Sequence, residues 1–213
     1  MREIAVVIPL LNKGPHNAKT LKSVLQQTLA PREITRVDDG CSDEQPSIFE
    51  RFVALDQRIP VLRCLPQGQG GYAARNSGFG ASTTERIAFR DADEVWHDKD
   101  LQCLTSSIAT AGPDVGCGFS WVKIVEGGKQ RSYVGTLAPF PAKKALALHD
   151  ISGPCLQTDL CPISTGASPF RRSVLIEAGI FPAGKVRRGG DKDMWLRAAA
   201  RAKVEFSDKE TGG

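Results

Sequence analysis

The sequence predicts an α/β fold in which a mixed central sheet is flanked by helices, and two patterns carry this prediction. In the first part of the chain, short apolar runs typical of buried parallel strands alternate with amphipathic stretches at helical spacing. This β-α-β-α-β order implies parallel pairing with right-handed crossovers. Further on, Gly116–Val125 and Lys129–Val134 flank Gly127-Gly128 as in a β-hairpin, which adds antiparallel strands.

The first half of the chain supplies the predicted parallel strands. The run before Pro9 is continuously apolar, as expected for a central strand buried on both faces, and we expect Pro9 to end it. Leucines and a valine at helical spacing then indicate a crossover helix that Ala30-Pro31 ends. The predicted elements are strands at Ile4–Ile8, Ile34–Val37, Val61–Leu65 and Ile87–Phe89, and helices at Asn17–Leu29, Ile48–Leu55 and Ala73–Ala81.

The second half of the chain is less regular. Gly135–Ser164 is rich in Pro and small residues and contains one predicted helix around Ala142–His149. Such a long irregular stretch in a compact domain is typical of a functional loop or lid. The other predicted elements are helices at Leu101–Ala109, Ser173–Ala178 and Asp191–Ala202 and a short strand at Thr165–Phe170.

Length and composition favour one domain over residues 1–213. A chain of 213 residues can bury one large core, and no composition break or Pro/Ser-rich linker divides it. No apolar run approaches the roughly 20 residues that cross a bilayer. The strand pattern also begins too early in the chain for a secretory signal. These features predict residence in the cytoplasm.

Cysteine usage and charge exclude several classes of function. The six cysteines form no CxxC pair and the chain has three histidines, which favours reduced, mostly buried thiols over a zinc site or a disulfide framework. A formal charge of +4 is too small to indicate nucleic-acid binding, and we expect none. The basic pairs Lys143-Lys144, Arg171-Arg172 and Arg187-Arg188 either form a solvated face or contact phosphates or an anionic membrane surface.

Two predicted strands end in acidic residues. Asp38-Asp39 follows one, and Asp91-Ala92-Asp93 follows the run that ends at Phe89. Ligands of open α/β sheets bind at the carboxyl edge of the strands, and carboxylates two residues apart leave a strand on the same side. Oxygen ligands suit Mg²⁺ or Mn²⁺ bound together with phosphates. The triplet therefore predicts a metal-phosphate site, although an acid-x-acid triplet also occurs in ordinary polar turns.

Six blocks of sequence, in order along nearly the whole chain, carry a family resemblance. They are Val7–Asn12, Leu21–Thr28, Val37–Asp43, Gly71–Gly78, Ile87–Trp96 and Asp191–Arg197. Together they resemble the family 2 glycosyltransferases, which have the GT-A fold, a Rossmann-like mixed sheet flanked by helices. Their order and spacing are more specific than any single block. The resemblance implies transfer of a sugar from a nucleotide-diphosphate donor.

The resemblance places a donor-binding half at residues 1–97 and an acceptor-binding half at 98–213. Asp39 is similar to the family's acid that accepts a hydrogen bond from the ring N–H of uracil, so we expect a UDP-sugar. Arg75 resembles the family's arginine near the nucleotide; the alternative is a surface arginine paired with a neighbouring acid. The other implied donor-binding residues are Pro9, Leu11, Gly71, Asp91 and Ala92.

The resemblance assigns specific roles to the residues of the acidic triplet. Asp93 resembles the acid that coordinates a divalent cation, Mg²⁺ or Mn²⁺, which bridges the two phosphates. Asp91 completes the metal shell or lies near the ribose. We expect Glu94 to face solvent or to open a helix, and Asp38 and Asp43 to serve the strand end and the turn.

Asp191 resembles the family's catalytic base. Such a base takes the proton from the acceptor hydroxyl during a single inverting displacement. The alternative role for Asp191 is to cap its helix. The chain departs from the family pattern at Gly190, where the usual neighbouring acid is missing, which removes a like charge that can raise the pKa of a base. It also departs at Leu10-Leu11, where apolar contact replaces an aromatic ring on the nucleotide base.

Taken together, the residues and the resemblance predict a metal-dependent, inverting glycosyltransferase. Its donor is a nucleotide-sugar, and its acceptor is a saccharide, a lipid-linked compound or another hydroxyl compound. The alternatives are a nucleotidyltransferase, which releases pyrophosphate, and a non-catalytic module that binds sugar nucleotides. We expect Asp39, Asp93 and Asp191 to converge around one cleft. Trp121 and His149 belong either to the core or to the acceptor pocket.

Overall fold

A computed structural model describes residues 3–42, 56, 58, 61–63, 70–126, 128–133 and 145–207. The strands in this part of the chain are β1 (Ile4–Leu10), β2 (Glu33–Asp38), β3 (Val61–Arg63), β4 (Arg86–Phe89), β5 (Val115–Ser120), β6 (Lys123–Glu126), β7 (Lys129–Ser132), β8 (Pro169–Arg171) and β9 (Lys203–Ser207). The helices are α1 (Gly14–Leu25), α2 (Gly71–Ala81), α3 (Asp100–Ala111), α4 (Leu148–Thr158), α5 (Arg172–Ala178) and α6 (Gly190–Ala199), and Thr165–Ala167 forms a 3₁₀ turn. None of the described helices has the length and apolar character needed to cross a membrane.

Seven strands form one mixed sheet in the order β3-β2-β1-β4-β8-β5-β9. β1 pairs in parallel with β2 and β4, and β2 pairs in parallel with β3, so their carboxyl ends meet at one edge. β8 is antiparallel to both of its neighbours, β4 and β5, whereas β5 and β9 are parallel. β6 and β7 form a separate antiparallel hairpin. The predicted mixed α/β fold is confirmed.

Helices cover both faces of this sheet. Alternate residues of β1 point to opposite faces, and each face carries its own apolar cluster. Val7 of β1 belongs to the cluster that contains Ala74 of α2 and Trp195 of α6. Val6 belongs to the cluster that contains Leu21 of α1. Strands buried on both faces account for the continuous apolar runs in the sequence.

Pro9 does not end the first strand, contrary to the prediction. β1 continues to Leu10, and Pro9 is in register with Val37 of β2. On its other side, the register between β1 and β4 stops at Val7, opposite Phe89. Pro9 therefore lies beyond the paired part of β4, where its missing N–H removes no ladder hydrogen bond.

The antiparallel half differs from the prediction more strongly. The stretch Gly116–Val125 is not one hairpin strand: β5 is buried between β8 and β9, and only β6 belongs to the hairpin. The helix predicted around Ala142–His149 lies instead at Leu148–Thr158, and residues 141–144 are outside the described part. β9 has no counterpart in the prediction. The sequence does not show this strand as an apolar run, because the charged residue Glu205 occupies a buried position in it. The Glu205 side chain accepts a hydrogen bond from Ser107.

Other predicted boundaries move by a few residues or cannot be compared. α1 begins before Asn17 and ends at Leu25, and the strand predicted at Thr165–Phe170 divides into the 3₁₀ turn and β8. The helix predicted at Ile48–Leu55 and the end of the strand predicted at Val61–Leu65 lie outside the described residues. The described cysteines are all free; two are buried and three are half-buried.

Gly78 marks the closest approach between α2 and the sheet. A Cβ atom at this position would lie 2.3 Å from Cγ1 of Val7 and 3.1 Å from Cγ2 of Val37. We expect Gly78→Ala to lower the free energy of unfolding by about 1–3 kcal/mol, because an extra methyl group overpacks this core. Urea unfolding measures the change. Gly80→Ala on the same helix is the control, because a Cβ there meets no atom within 4 Å; equal losses in both variants would contradict the packing explanation.

Candidate active site

Asp39 lies at the carboxyl edge of the sheet, directly after β2. Its side chain is 2% exposed, and its Oδ2 accepts a hydrogen bond of 2.7 Å from the backbone N–H of Gly70. Gly70 has a φ of +86°, which favours glycine, and it caps the amino end of α2. The acid therefore fixes the start of α2. Asp38 instead accepts hydrogen bonds from the N–H groups of Gly40 and Cys41, as expected for a turn residue.

Asp43, the other acid assigned to this turn, is outside the described residues.

Arg75 connects α2 with the acidic triplet. Its guanidinium group is buried, forms an ion pair with Asp91 and lies 5.6 Å from the ring centroid of Phe181. Its Nε is buried and has no hydrogen-bond partner among the described residues, so donor capacity is left over. Gly71 leaves room for this arginine, because a Cβ there would lie 3.0 Å from Nη1. Arg75 is thus paired with an acid but is not a surface residue.

Asp93 forms an ion pair of 2.6 Å with Lys13, a residue that the sequence interpretation did not select. Partial burial works to raise the pKa of Asp93, but the hydrogen bond and charge of Lys13 outweigh it and lower the pKa. The same hydrogen bond raises the pKa of Lys13. The signal for Lys13 in the sequence is its place shortly after β1, at the same edge of the sheet.

The backbone of the triplet is fixed from α1. The hydroxyl of Thr20 donates to the carbonyl oxygens of Ala92, at 2.9 Å, and Glu94, at 2.8 Å. Ala92 is buried, whereas Asp91 and Asp93 on either side of it are partly exposed. The two carboxylates therefore leave the loop from a rigid base.

Glu94 opens no helix, contrary to the prediction, and its side chain is partly exposed rather than fully solvent-facing. Its Oε2 is buried, makes no hydrogen bond and lies 3.3 Å from Nη1 of Arg90. Burial raises the pKa of Glu94 to about 7, against the opposing effect of Arg90. Space for this side chain comes from Gly166, where a Cβ would lie 1.6 Å from Oε2. The direction of the side chain thus depends on a distant glycine.

The loop after β4 is anchored to the 3₁₀ turn. The carbonyl oxygen of Gly166 accepts hydrogen bonds from Arg90, at 2.8 Å, and from the indole N–H of Trp96, at 2.6 Å. The guanidinium of Arg90 also lies over the Trp96 ring, 5.1 Å from its centroid. Both side chains are buried. This cluster holds the metal-binding candidates against the antiparallel half of the fold.

Asp191 lies in the first turn of α6 and is half-buried. The capping role considered for it is wrong, because the N-cap is Gly189 and no side chain caps the helix. The backbone N–H of Gly190 instead donates a hydrogen bond of 2.9 Å to the hydroxyl of Tyr72 on α2. Burial is the main cause that raises the pKa of Tyr133, and the negative charge of Asp191 adds to this rise.

The remaining candidates differ in accessibility. Leu11 is 48% exposed after β1, so its side chain is available for apolar contact with a ligand, and Pro9 is half-buried next to it. The side chain of His149 is exposed and lies 3.4 Å from Asp150. Trp121 contacts Phe206, with ring centroids 5.2 Å apart.

The described residues contain no group of three or more His, Cys, Asp or Glu side chains that could hold a metal ion by themselves. Asp91 and Asp93 offer two carboxylates on one rigid loop. Mg²⁺ in proteins is usually held by one or two carboxylates together with substrate phosphates and water. The pair therefore fits a divalent cation whose coordination a phosphate-bearing substrate completes.

The fold and the acidic edge of the sheet define a GT-A glycosyltransferase fold. The chain superposes on a crystal structure of residues 1–349 of TarS from S. aureus with a TM-score of 0.75 at 19% identity, covering 98% of this chain and 58% of that one. It also superposes on the mannosyltransferase PcManGT from Pyrobaculum calidifontis with a TM-score of 0.69 at 21% identity, covering 98% of this chain and 55% of that one. These similarities establish the fold.

The sequence comparison establishes the family. The profile described as "Glycosyl transferase family 2" matches residues 5–179, and the chain belongs to this family. An uncharacterized glycosyltransferase, alr2836, from Nostoc sp. (strain PCC 7120) is 31% identical over 189 residues, which are 87% of this chain and 55% of that protein. EpsJ from Bacillus subtilis (strain 168), also uncharacterized, is 35% identical over 118 residues, 54% of this chain and 33% of EpsJ. The chain thus spans about half or less of these relatives.

Proposed function

We propose that this chain is the transfer domain of a metal-dependent, inverting glycosyltransferase that moves a sugar from a UDP-sugar to a hydroxyl acceptor. One observation carries the proposal: α2 is in contact with all three parts of the candidate site. Its N-cap residue, Gly70, donates a hydrogen bond to Asp39, and its Arg75 forms an ion pair with Asp91. Its Tyr72 accepts a hydrogen bond from the first residue of α6, the helix that carries Asp191. A substrate on this helix end meets both donor-side and acceptor-side acids.

Donor binding is assigned to the half at residues 1–97. We assign Asp39 to accept a hydrogen bond from the ring N–H of uracil, because an unpaired N–H there would cost about 1–3 kcal/mol. Exposed Leu11 supplies apolar contact with the base, with Pro9 beside it. The N–H groups at the start of α2, including that of Gly71, and the side chain of Arg75 suit the negative diphosphate.

The structures of relatives support a nucleotide-sugar donor without fixing its base. A TarS structure that superposes with a TM-score of 0.70 contains UDP-GlcNAc, and the PcManGT structure contains GDP-Man and Mn²⁺. We assign Asp93 and Asp91 to a divalent cation, Mg²⁺ or Mn²⁺, with the backbone of Ala92 between them. When bound, such an ion neutralises charge on the leaving diphosphate.

Asp191 is the proposed base. Its carboxylate takes the proton of the acceptor hydroxyl while that oxygen forms a bond to the anomeric carbon. The bond from this carbon to the diphosphate oxygen breaks on the opposite face, and its electron pair leaves with the nucleoside diphosphate. A single displacement inverts the anomeric configuration. Burial of the neighbouring Gly190 keeps water away from one side of the helix end.

The acceptor is assigned to the half at residues 98–213, and it is a saccharide, a lipid-linked sugar or another hydroxyl compound. Arg187 and Arg188 are exposed in the segment just before α6. Their charge favours contact with phosphates or an anionic membrane surface near the acceptor.

Product analysis tests the proposal. Purified protein is incubated with Mn²⁺, a panel of UDP- and GDP-sugars and a panel of hydroxyl acceptors. Release of a nucleoside diphosphate together with a product of inverted anomeric configuration, read by proton NMR, supports sugar transfer. Release of pyrophosphate from a nucleoside triphosphate and a sugar phosphate would indicate a nucleotidyltransferase. Donor binding without any turnover across the panel would indicate a binding module.

A further inference from the structure

Tyr72 connects the donor-side helix α2 to the helix that carries the proposed base. Its hydroxyl oxygen accepts the hydrogen bond of 2.9 Å from the backbone N–H of Gly190. The Tyr72 ring is stacked on Phe181, with centroids 6.0 Å apart and planes 7° apart. Phe181 is itself fixed to α2, because its N–H and C=O both hydrogen-bond the side-chain amide of Asn76. The hydroxyl of Tyr72 is therefore held in one place.

The start of α6 needs this hydroxyl. The first N–H groups of a helix have no partner within the helix, and here no side chain at the N-cap supplies one. Gly190 is buried, so water is a poor substitute for the missing acceptor. The Tyr72 oxygen accepts from the N–H of the residue directly before Asp191.

Gly190 is also what lets Tyr72 approach. A Cβ atom at position 190 would lie 2.7 Å from Cε2 of Tyr72 and 2.8 Å from Cγ of Pro182. The space that a side chain at position 190 would occupy is filled by the tyrosine ring. This contact explains why position 190 is glycine and not an acid: any side chain at this position would collide with Tyr72.

We infer that Tyr72 is a positioning residue for Asp191, an inference that rests on the proposed function. The hydroxyl fixes the first turn of α6, and with it the position of Asp191. Tyr72 lies next to Gly71 and one helical turn from Arg75. The same end of α2 therefore binds the donor and positions the catalytic base, Asp191. Misplacing a reacting group by about 1 Å can lower a rate by about 100-fold.

Tyr72→Phe tests the inference, because it keeps the stacked ring and removes only the oxygen. With the donor and acceptor pair that releases nucleoside diphosphate, we expect kcat to fall by about 10- to 100-fold. The KM for the donor and the Kd for the nucleoside diphosphate should stay within about twofold. Thr84→Val is the matched control, since it removes one buried hydrogen bond, to the carbonyl oxygen of Arg86, at the amino end of β4. It should leave kcat unchanged.

A second variant approaches the contact from the other side. Gly190→Ala pushes a methyl group against the Tyr72 ring and should also lower kcat. Because both changes act on one contact, the loss in Tyr72→Phe/Gly190→Ala should be clearly smaller than the product of the two single losses.

Three results would overturn the inference. They are an unchanged kcat in Tyr72→Phe, an equal loss of kcat in Thr84→Val, and single losses that multiply in the double variant. Failure of the proposed function is a separate result, because no donor and acceptor pair would then release a nucleoside diphosphate. Failure of the base assignment alone would appear as normal turnover in Asp191→Asn. An inactive Asp191→Asn beside a normal Tyr72→Phe would leave the base in place and reject only the positioning role.

Discussion

Asp191→Asn is expected to lower kcat by about 100- to 10,000-fold, the range that loss of a general base produces. The amide has the shape of the carboxylate but cannot take the proton of the acceptor hydroxyl. Donor binding should be unchanged, because the donor contacts are assigned to other residues. Steady-state kinetics gives kcat and the donor KM, and calorimetric titration with the nucleoside diphosphate gives Kd.

Asp193→Asn is the control for this experiment. Asp193 is in the same turn of α6 as Asp191, so both substitutions remove one negative charge from the same helix end. Asp193 is half-exposed and pairs with Arg197 at 2.7 Å, an interaction worth about 0–1 kcal/mol. We expect its turnover to be normal. Equal losses in the two variants would mean that the charge of the helix end, and not a base at position 191, supports activity.

Asp93→Ala is expected to remove the part of donor binding that depends on a divalent cation. Isothermal titration of UDP with and without Mn²⁺ measures this part directly, with no need for an acceptor. Substitutions of residues that merely support a metal ligand cost about 10- to 100-fold in metal affinity, so loss of a ligand should cost at least about 100-fold. UDP binding in the absence of Mn²⁺ should change little.

Two variants make the metal experiment specific. Asp98→Ala removes an exposed acid from the same connection between β4 and α3 and should keep the effect of Mn²⁺. Lys13→Gln removes the cation that pairs with Asp93 in the free protein and should keep or strengthen Mn²⁺ binding. A full Mn²⁺ effect in Asp93→Ala would show that the triplet is not the metal site.

The parallel half of the fold can be predicted from sequence, and the antiparallel half cannot. β1 is buried on both faces and is a continuous apolar run of clear length. β2 and β4 are shorter and each contains a buried arginine, Arg36 and Arg86, but apolar residues still mark them in the sequence. β8 has three residues and begins with Pro169, and β9 places Glu205 in a buried position. Whether β8 and β9 form depends on contacts with residues far away in the sequence. The local sequence pattern does not reveal these contacts.

The acids of the candidate site can be located in the sequence because they follow strands that the sequence predicts. The residues that contact them cannot be located in this way. Asp39, Asp91 and Asp93 follow strand ends, which the sequence marks. Lys13 is 80 residues from Asp93, and Tyr72 is 118 residues from Gly190. Such pairs depend on the register of the whole sheet. The direction of Glu94 likewise depends on space at Gly166.

The position of β8 limits how this domain can be recombined. β8 comes from late in the chain, yet it pairs with β4, the strand that leads into the acidic triplet. A chimaera that joins residues 1–97 to the second half of a relative with another acceptor must therefore bring a strand of matching length and register. Without it, β4 becomes an open edge that invites aggregation between molecules.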